Sequence, residues 1–242
     1  VTFVRRSSEH GITTLTLDSP HNRNALSARL VSELVEGLVE AGEDAGVRAV
    51  LLAHTGNTFC SGADLTEAGA DGPQALVRLM RTVVELPKPV VAWVNGHARA
   101  GGLGLLGACD ISVAGEGATF AFTEARIGLA PAVISLPLLP RLDARAVARY
   151  YLTGERFGAA EAVRIGLVTA GEDALGAIVD GLRRGSPQGL AESKALATAD
   201  VRRAFERDAE ALTALSARLF TSPEAREGMT AFLERREPVW AR

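Results

Sequence analysis

Apolar residues in this chain fall into short runs separated by turn residues, and the spacing within each run indicates its structure. Residues 2–6 and Ile12–Leu17 predict two strands joined by a turn at residues 7–11. The second strand alternates imperfectly, with Ile12, Leu15 and Leu17 set among threonines. Residues 18–24 carry loop chemistry (Asp, Ser, Pro, Asn), and Ser27 is placed to cap the helix that follows. There Leu30, Val31, Leu34, Val35, Leu38 and Val39 recur at four-residue steps, one face of an amphipathic helix. Residues 49–53 (AVLLA) form a second buried strand, and residues 73–86 a second amphipathic helix. Between Pro89 and the turn-forming Asn95-Gly96-His97 lies Val90–Val94, a β-branched run that suits a strand covered on both faces. A glycine-rich apolar helix over residues 100–107 comes next, then a third buried strand at Ile111–Ala114 and a short one near residues 119–122. Strands alternating with helices across short connections predict an α/β fold with parallel pairing. From residue 186 to 232 strand signals cease and helix formers dominate, so the expected division is a core over residues 1–185 and a helical region over 186–242.

Composition narrows the function classes. A length of 242 residues suits one large domain or a domain with an appendage, and 47% apolar content allows an aliphatic core. A net charge of −3 with mixed signs provides no basic stripe for nucleic acid. Cys60 and Cys109 sit in apolar stretches and read as buried thiols in a reducing compartment. Without an apolar run of membrane-spanning length or a charged-then-apolar leader, the expected location is the cytoplasm. The four histidines lack ligand spacing, so no metal site is expected, and no G-x-S-x-G elbow supports a serine hydrolase.

Two small-residue turns stand out. Gly62-Ala63-Asp64 and Gly101-Gly102 each follow a run that reaches the core and open the next segment, where free N–H groups can face a ligand. Side by side in a parallel sheet they would aim two amides at one point, an oxyanion hole; the alternative is that the glycines only make tight turns. The G-x-G-x-x-G match at Gly102–Gly107 does not read as a dinucleotide site. Only three residues separate it from the next strand, too few for a βαβ unit of roughly 30 residues. Asp64 and Asp110, at element junctions, read as caps. Glu124 is set among Phe120, Phe122, Ile127 and Leu129, surroundings that disfavour an ionised carboxyl and suit proton exchange near neutral pH; Arg126 is a candidate ion-pair partner.

Taken together, the segments at 59–65 (FCSGADL), 87–111 and 120–131 (FAFTEARIGLAP), with Asn24-Ala25-Leu26 and residues 227–233, resemble the crotonase, or enoyl-CoA hydratase/isomerase, superfamily over nearly the whole chain. The resemblance implies a spiral of ββα units and a C-terminal helical region that assembles trimers, often stacked as hexamers. It further implies an acyl-CoA thioester substrate, as in fatty-acid metabolism, with no metal or redox cofactor. On that resemblance the amides of Ala63 and Gly101 would grip the thioester oxygen. Arg23, Ala25, Cys60, Ser61, Gly62 and Asp64 would lie along the CoA, with Leu65, Gly102 and Gly104 completing the substrate-binding set. Glu124 matches the later of the two glutamates that hydratases of the family carry, and the position of the earlier one is Gly104. The expected activity is therefore addition of water to a 2-enoyl-CoA by one glutamate. The alternatives are migration of a 3-enoyl double bond by the same glutamate, or acyl-CoA binding without catalysis.

Overall fold

A computed structural model describes residues 2–67 and 71–241. Its strands are β1 (Val4–Glu9), β2 (Ile12–Leu17), β3 (Ala49–His54), β4 (Thr58–Cys60), β5 (Val90–Val94), β6 (His97–Arg99), β7 (Ile111–Ala114), β8 (Thr119–Ala121), β9 (Phe157–Gly158) and β10 (Ala170–Gly171). The helices of the first half are α1 (Ala28–Glu43), α2 (Gly72–Glu85), α3 (Gly101–Ala108) and α4 (Ser135–Leu138). Those of the second half are α5 (Ala144–Thr153), α6 (Ala159–Arg164), α7 (Leu175–Arg184), α8 (Pro187–Ala197), α9 (Ala199–Phe220) and α10 (Pro223–Glu234). No described helix is long and apolar enough to cross a membrane.

Two sheets organise the chain. One has the order β1-β2-β3-β5-β7-β10 and the other β4-β6-β8-β9. From β3 onward the chain repeats one move: a strand in the larger sheet, a short strand in the smaller, then a helical turn. β3, β4 and α2 make the first repeat and β5, β6 and α3 the second. The third is β7 and β8 with a 3₁₀ turn at Glu124–Ile127. This is the expected spiral of ββα units. β3, β5 and β7 pair in parallel, as do β4, β6 and β8. Because every repeat runs the same way, the carboxyl ends of β4, β6 and β8 point to one edge.

The core lies between the larger sheet and the helices packed on it. Ser27 caps α1, its hydroxyl accepting from the Leu30 N–H, and Leu30, Val31, Leu34 and Leu38 of that helix are buried. Leu76, Leu79, Met80 and Val83 bury the matching face of α2. Both cysteines are buried and free. In the first hairpin β1 runs on to Glu9, so the turn is confined to His10-Gly11 rather than residues 7–11. The stretch expected as a loop at His97 instead begins β6, and Thr58–Cys60 forms β4.

From Pro187 the described residues are almost entirely helical, and these helices pack back on the core. Val201 and Phe205 of α9 are buried there. Lys194 of α8 donates to the carbonyls of Val83 and Lys88 and pairs with Asp110 at 2.8 Å. Asp110 therefore does not cap a helix. Its carboxylate also accepts from the Val90 N–H at 2.7 Å and ties β5 to α8.

Candidate active site

Strand register places the candidate residues. Cys60 of β4 pairs with Ala98 of β6, and Ala98 with Phe120 of β8, which makes one row across three parallel strands. Three residues beyond Cys60 stands Ala63; three beyond Ala98 stands Gly101; four beyond Phe120 stands Glu124. Neighbouring strands lie about 4.8 Å apart, so the three positions leave the sheet side by side at its carboxyl edge, where parallel α/β sheets hold ligands.

The two turns touch. A Cβ added to Gly101 would sit 3.5 Å from the Ala63 nitrogen, and one added to Gly62 would sit 3.2 Å from the Gly101 nitrogen. Gly62 has a φ of +96°, which only glycine adopts without strain. A side chain on Gly102 would drive into the Cys60 carbonyl at 2.6 Å, so α3 starts closely packed on the end of β4. Between the turns, Ala100 holds φ 47° and ψ −119°, a conformation costing an L-residue about 1–3 kcal/mol. Its N–H donates to the Ala121 carbonyl at 3.3 Å, linking the start of α3 to the strand that leads to Glu124. Gly101 is the first residue of α3, so its N–H has no acceptor within the helix, and among the described residues neither it nor the Ala63 N–H is hydrogen-bonded.

The loop before α1 runs beside the Gly62 turn. The Leu26 N–H donates to the Gly62 carbonyl at 2.8 Å and the Ser61 N–H to the Arg23 carbonyl at 3.1 Å. Buried Asn24 pins this loop. Its side-chain oxygen accepts from the Ser19 N–H, while its amide donates to the carbonyls of Thr55 and Thr58. Asp64 accepts from the Thr66 N–H and hydroxyl and from the Asn22 amide, bonds that hold its carboxyl below the usual range against the opposing effect of burial. The structure thus gathers Arg23, Ala25, Ser61, Gly62, Asp64 and Leu65 along one edge, with the Arg23 side chain exposed. The Cys60 side chain is fully buried against Gly102, and its sulfur accepts from the Gly62 N–H at 3.5 Å.

Glu124 begins its 3₁₀ turn and is 8% exposed. Burial raises its pKa to about 7, with main-chain hydrogen bonds at Glu124 and Thr123 pulling the other way. Its Oε2 has no hydrogen-bond partner among the described residues. Arg126 is not its ion-pair partner, since its Nε donates to the Thr153 carbonyl. α5 packs against this turn and brings Tyr151, whose ring centroid lies 4.7 Å from that of Phe122. The Tyr151 hydroxyl lies 3.2 Å from that of Ser135, a pair the sequence reading missed. The available signal was a lone serine inside an apolar run, Val133 to Leu139. Ser135 also borders a groove of about 360 Å³ between α4 and α9, lined in part by Leu136, Leu139, Arg203 and Leu212.

Opposite these groups, α3 offers nothing polar at position 104. A Cβ on Gly104 would meet Ile134 at 2.5 Å and the Met80 sulfur at 2.9 Å, so the space is already filled by apolar atoms. His54 and His97 are held in packing roles: His54 Nε2 accepts from the Asn95 N–H and His97 lies 2.9 Å from the Thr119 hydroxyl. Among the described residues no three of the types His, Cys, Asp and Glu are grouped to hold a metal ion.

A model of the family described as enoyl-CoA hydratase/isomerase matches residues 7–242. The chain belongs to that family. A solved structure of an enoyl-CoA hydratase from Mycobacterium avium is 55% identical, with a TM-score of 0.93 over 98% of both chains. The carnitinyl-CoA hydratase of Mycobacterium avium superposes with a TM-score of 0.87 at 28% identity over the whole of both chains. The 1,2-epoxyphenylacetyl-CoA isomerase of Escherichia coli is 31% identical over 98% of this chain and 97% of its own. Family membership supports an acyl-CoA-processing enzyme, and the relatives span both water addition and isomerisation.

Proposed function

We propose that the protein hydrates a 2-enoyl-CoA, using Glu124 as its one acid–base group and the amides of Ala63 and Gly101 as an oxyanion hole. The observation that carries this is a buried carboxyl with a pKa near 7, emerging from the same row of strands as two hydrogen-bond donors without acceptors among the described residues. In this reading the thioester oxygen accepts from both N–H groups, which polarises the double bond. Ionised Glu124 takes a proton from water as the hydroxyl oxygen bonds to the β-carbon, and the electron pair moves through the α-carbon onto the thioester oxygen. The amides bind that enolate better than the ground state, each donor being worth about 2.7–4 kcal/mol of barrier. Glu124 then delivers its proton to the α-carbon, which restores the carboxylate. A pKa near 7 suits a group that must take and give a proton in one turnover.

The filled space beside Gly104 favours a second reading. With no second acid from α3 to hold water, the same carboxyl would carry a proton between the α- and γ-carbons of a 3-enoyl-CoA. Crotonyl-CoA and a 3-enoyl-CoA separate the two: loss of the 2-enoyl absorbance marks hydration and its appearance marks isomerisation. Neither signal across chain lengths and branched acyl groups would leave an acyl-CoA-binding protein. The rest of the proposal is that Arg23, Ala25 and the 60–65 turn lie along the CoA, that no cofactor takes part, and that the protein works in the cytoplasm. Assembly as a trimer or a pair of stacked trimers is also proposed, supported by exposed Phe232, Leu233 and Trp240 near the C-terminus.

A further inference from the structure

We propose that Ser135 tunes Glu124 through Tyr151, acting as a positioning residue by withholding the phenol proton from the carboxyl. The inference rests on the reading of Glu124 as the acid–base group and names what regulates it. The Ser135 hydroxyl lies 2.6 Å from the Pro131 carbonyl oxygen and 3.2 Å from the Tyr151 hydroxyl. A carbonyl only accepts and serine has one proton, so that proton goes to Pro131. Tyr151 must then donate to the Ser135 oxygen. What the phenol has left to offer Glu124 is lone pairs.

Tyr151 stands beside the turn that carries Glu124. Its helix packs on the turn that begins with Glu124, its ring lies against Phe122, and burial, with the Glu124 charge adding to it, raises the pKa of the phenol. Beside lone pairs a carboxylate is disfavoured, while the neutral acid can donate, directly or through water. Other charges near the turn are engaged or exposed. Arg126 bonds Thr153, Arg149 pairs with Glu155 and Glu227 with Arg236, while Arg145, Glu224 and Arg226 are exposed. Tyr150 donates to Glu161. The Ser135–Tyr151 pair is therefore the device that keeps a hydroxyl proton from settling on the Glu124 carboxylate.

The test is a carboxyl titration by carbon-13 NMR on glutamate-labelled protein, with Glu124→Gln assigning the signal, in wild type, Ser135→Ala, Tyr151→Phe and the double variant. Removing the serine frees the phenol to donate to the carboxylate, so Ser135→Ala lowers the Glu124 pKa by about one unit, a tenfold gain in the ionised fraction well below pH 7. On the Tyr151→Phe background the same substitution leaves the titration unmoved. Ser135→Gly, checked for folding by circular dichroism, repeats the shift. A wild-type titration in Ser135→Ala and Ser135→Gly, or an equal shift with and without Tyr151, overturns the proposal. The titration needs no substrate, so a failure of the hydratase reading appears separately, as coupled titrations in a protein that does not hydrate crotonyl-CoA.

Discussion

At the scale of single residues, the role proposed for Glu124 and its burial tie activity and stability to one carboxyl. In the proposed mechanism it is the base and must be ionised, so kcat/KM for hydration is expected to rise with pH through about 7, which a pH–rate profile reads directly. Glu124→Gln removes the proton carrier, so kcat falls by about 10²–10⁴-fold while acyl-CoA affinity stays within a few-fold, by stopped-flow turnover and calorimetry. The same substitution has the opposite sign on stability. Below about pH 4.5 the group is protonated both folded and unfolded. As pH rises toward 7 the unfolded chain ionises first, and stability is lost through that window. By pH 8 the loss is about 3 kcal/mol, so Glu124→Gln melts several degrees above wild type at pH 8 and level with it at pH 4, by scanning calorimetry. Glu124 was legible in the sequence because its neighbours along the chain are apolar and stay so in space. Asp110 was not, because its partner Lys194 is remote in sequence and such an ion pair leaves no local trace.

At the scale of elements, the site depends on short strands and close turns. β4 and β6 have three residues each and include Thr58, His97 and Arg99, too short and too polar for periodicity to reveal. They exist because parallel neighbours complete their hydrogen bonds, a property of the sheet. The glycine turns were legible as turns, and the strain at Ala100 was not. Gly102→Ala forces backbone apart at the junction of β4 and α3, so thermal stability and kcat/KM fall together. Gly104→Glu does not supply a second acid; it meets Ile134 and Met80, and calorimetry registers a loss of stability with no gain in hydration. Lys194→Met leaves Asp110 charged and nearly inaccessible, at a cost of about 3–5 kcal/mol by denaturant unfolding, with Asp110→Asn on that background recovering part of it.

At the scale of the whole molecule, repetition of the ββα move delivers three unrelated residues to one edge. The alternation of buried strands and amphipathic helices was readable from position 12 to 122. The helices between Ala144 and Arg184 were not assigned from sequence, because they are short and their apolar residues are broken up by arginine, glycine and aspartate. In the proposed mechanism the Ala63 and Gly101 amides and the Glu124 carboxyl act on one thioester. A crystal structure with bound acetoacetyl-CoA tests it most directly. The thioester oxygen is expected about 2.7–3.1 Å from both amide nitrogens, with the Glu124 carboxyl facing the α-carbon. A thioester held elsewhere, or with its oxygen out of reach of either amide, would contradict it.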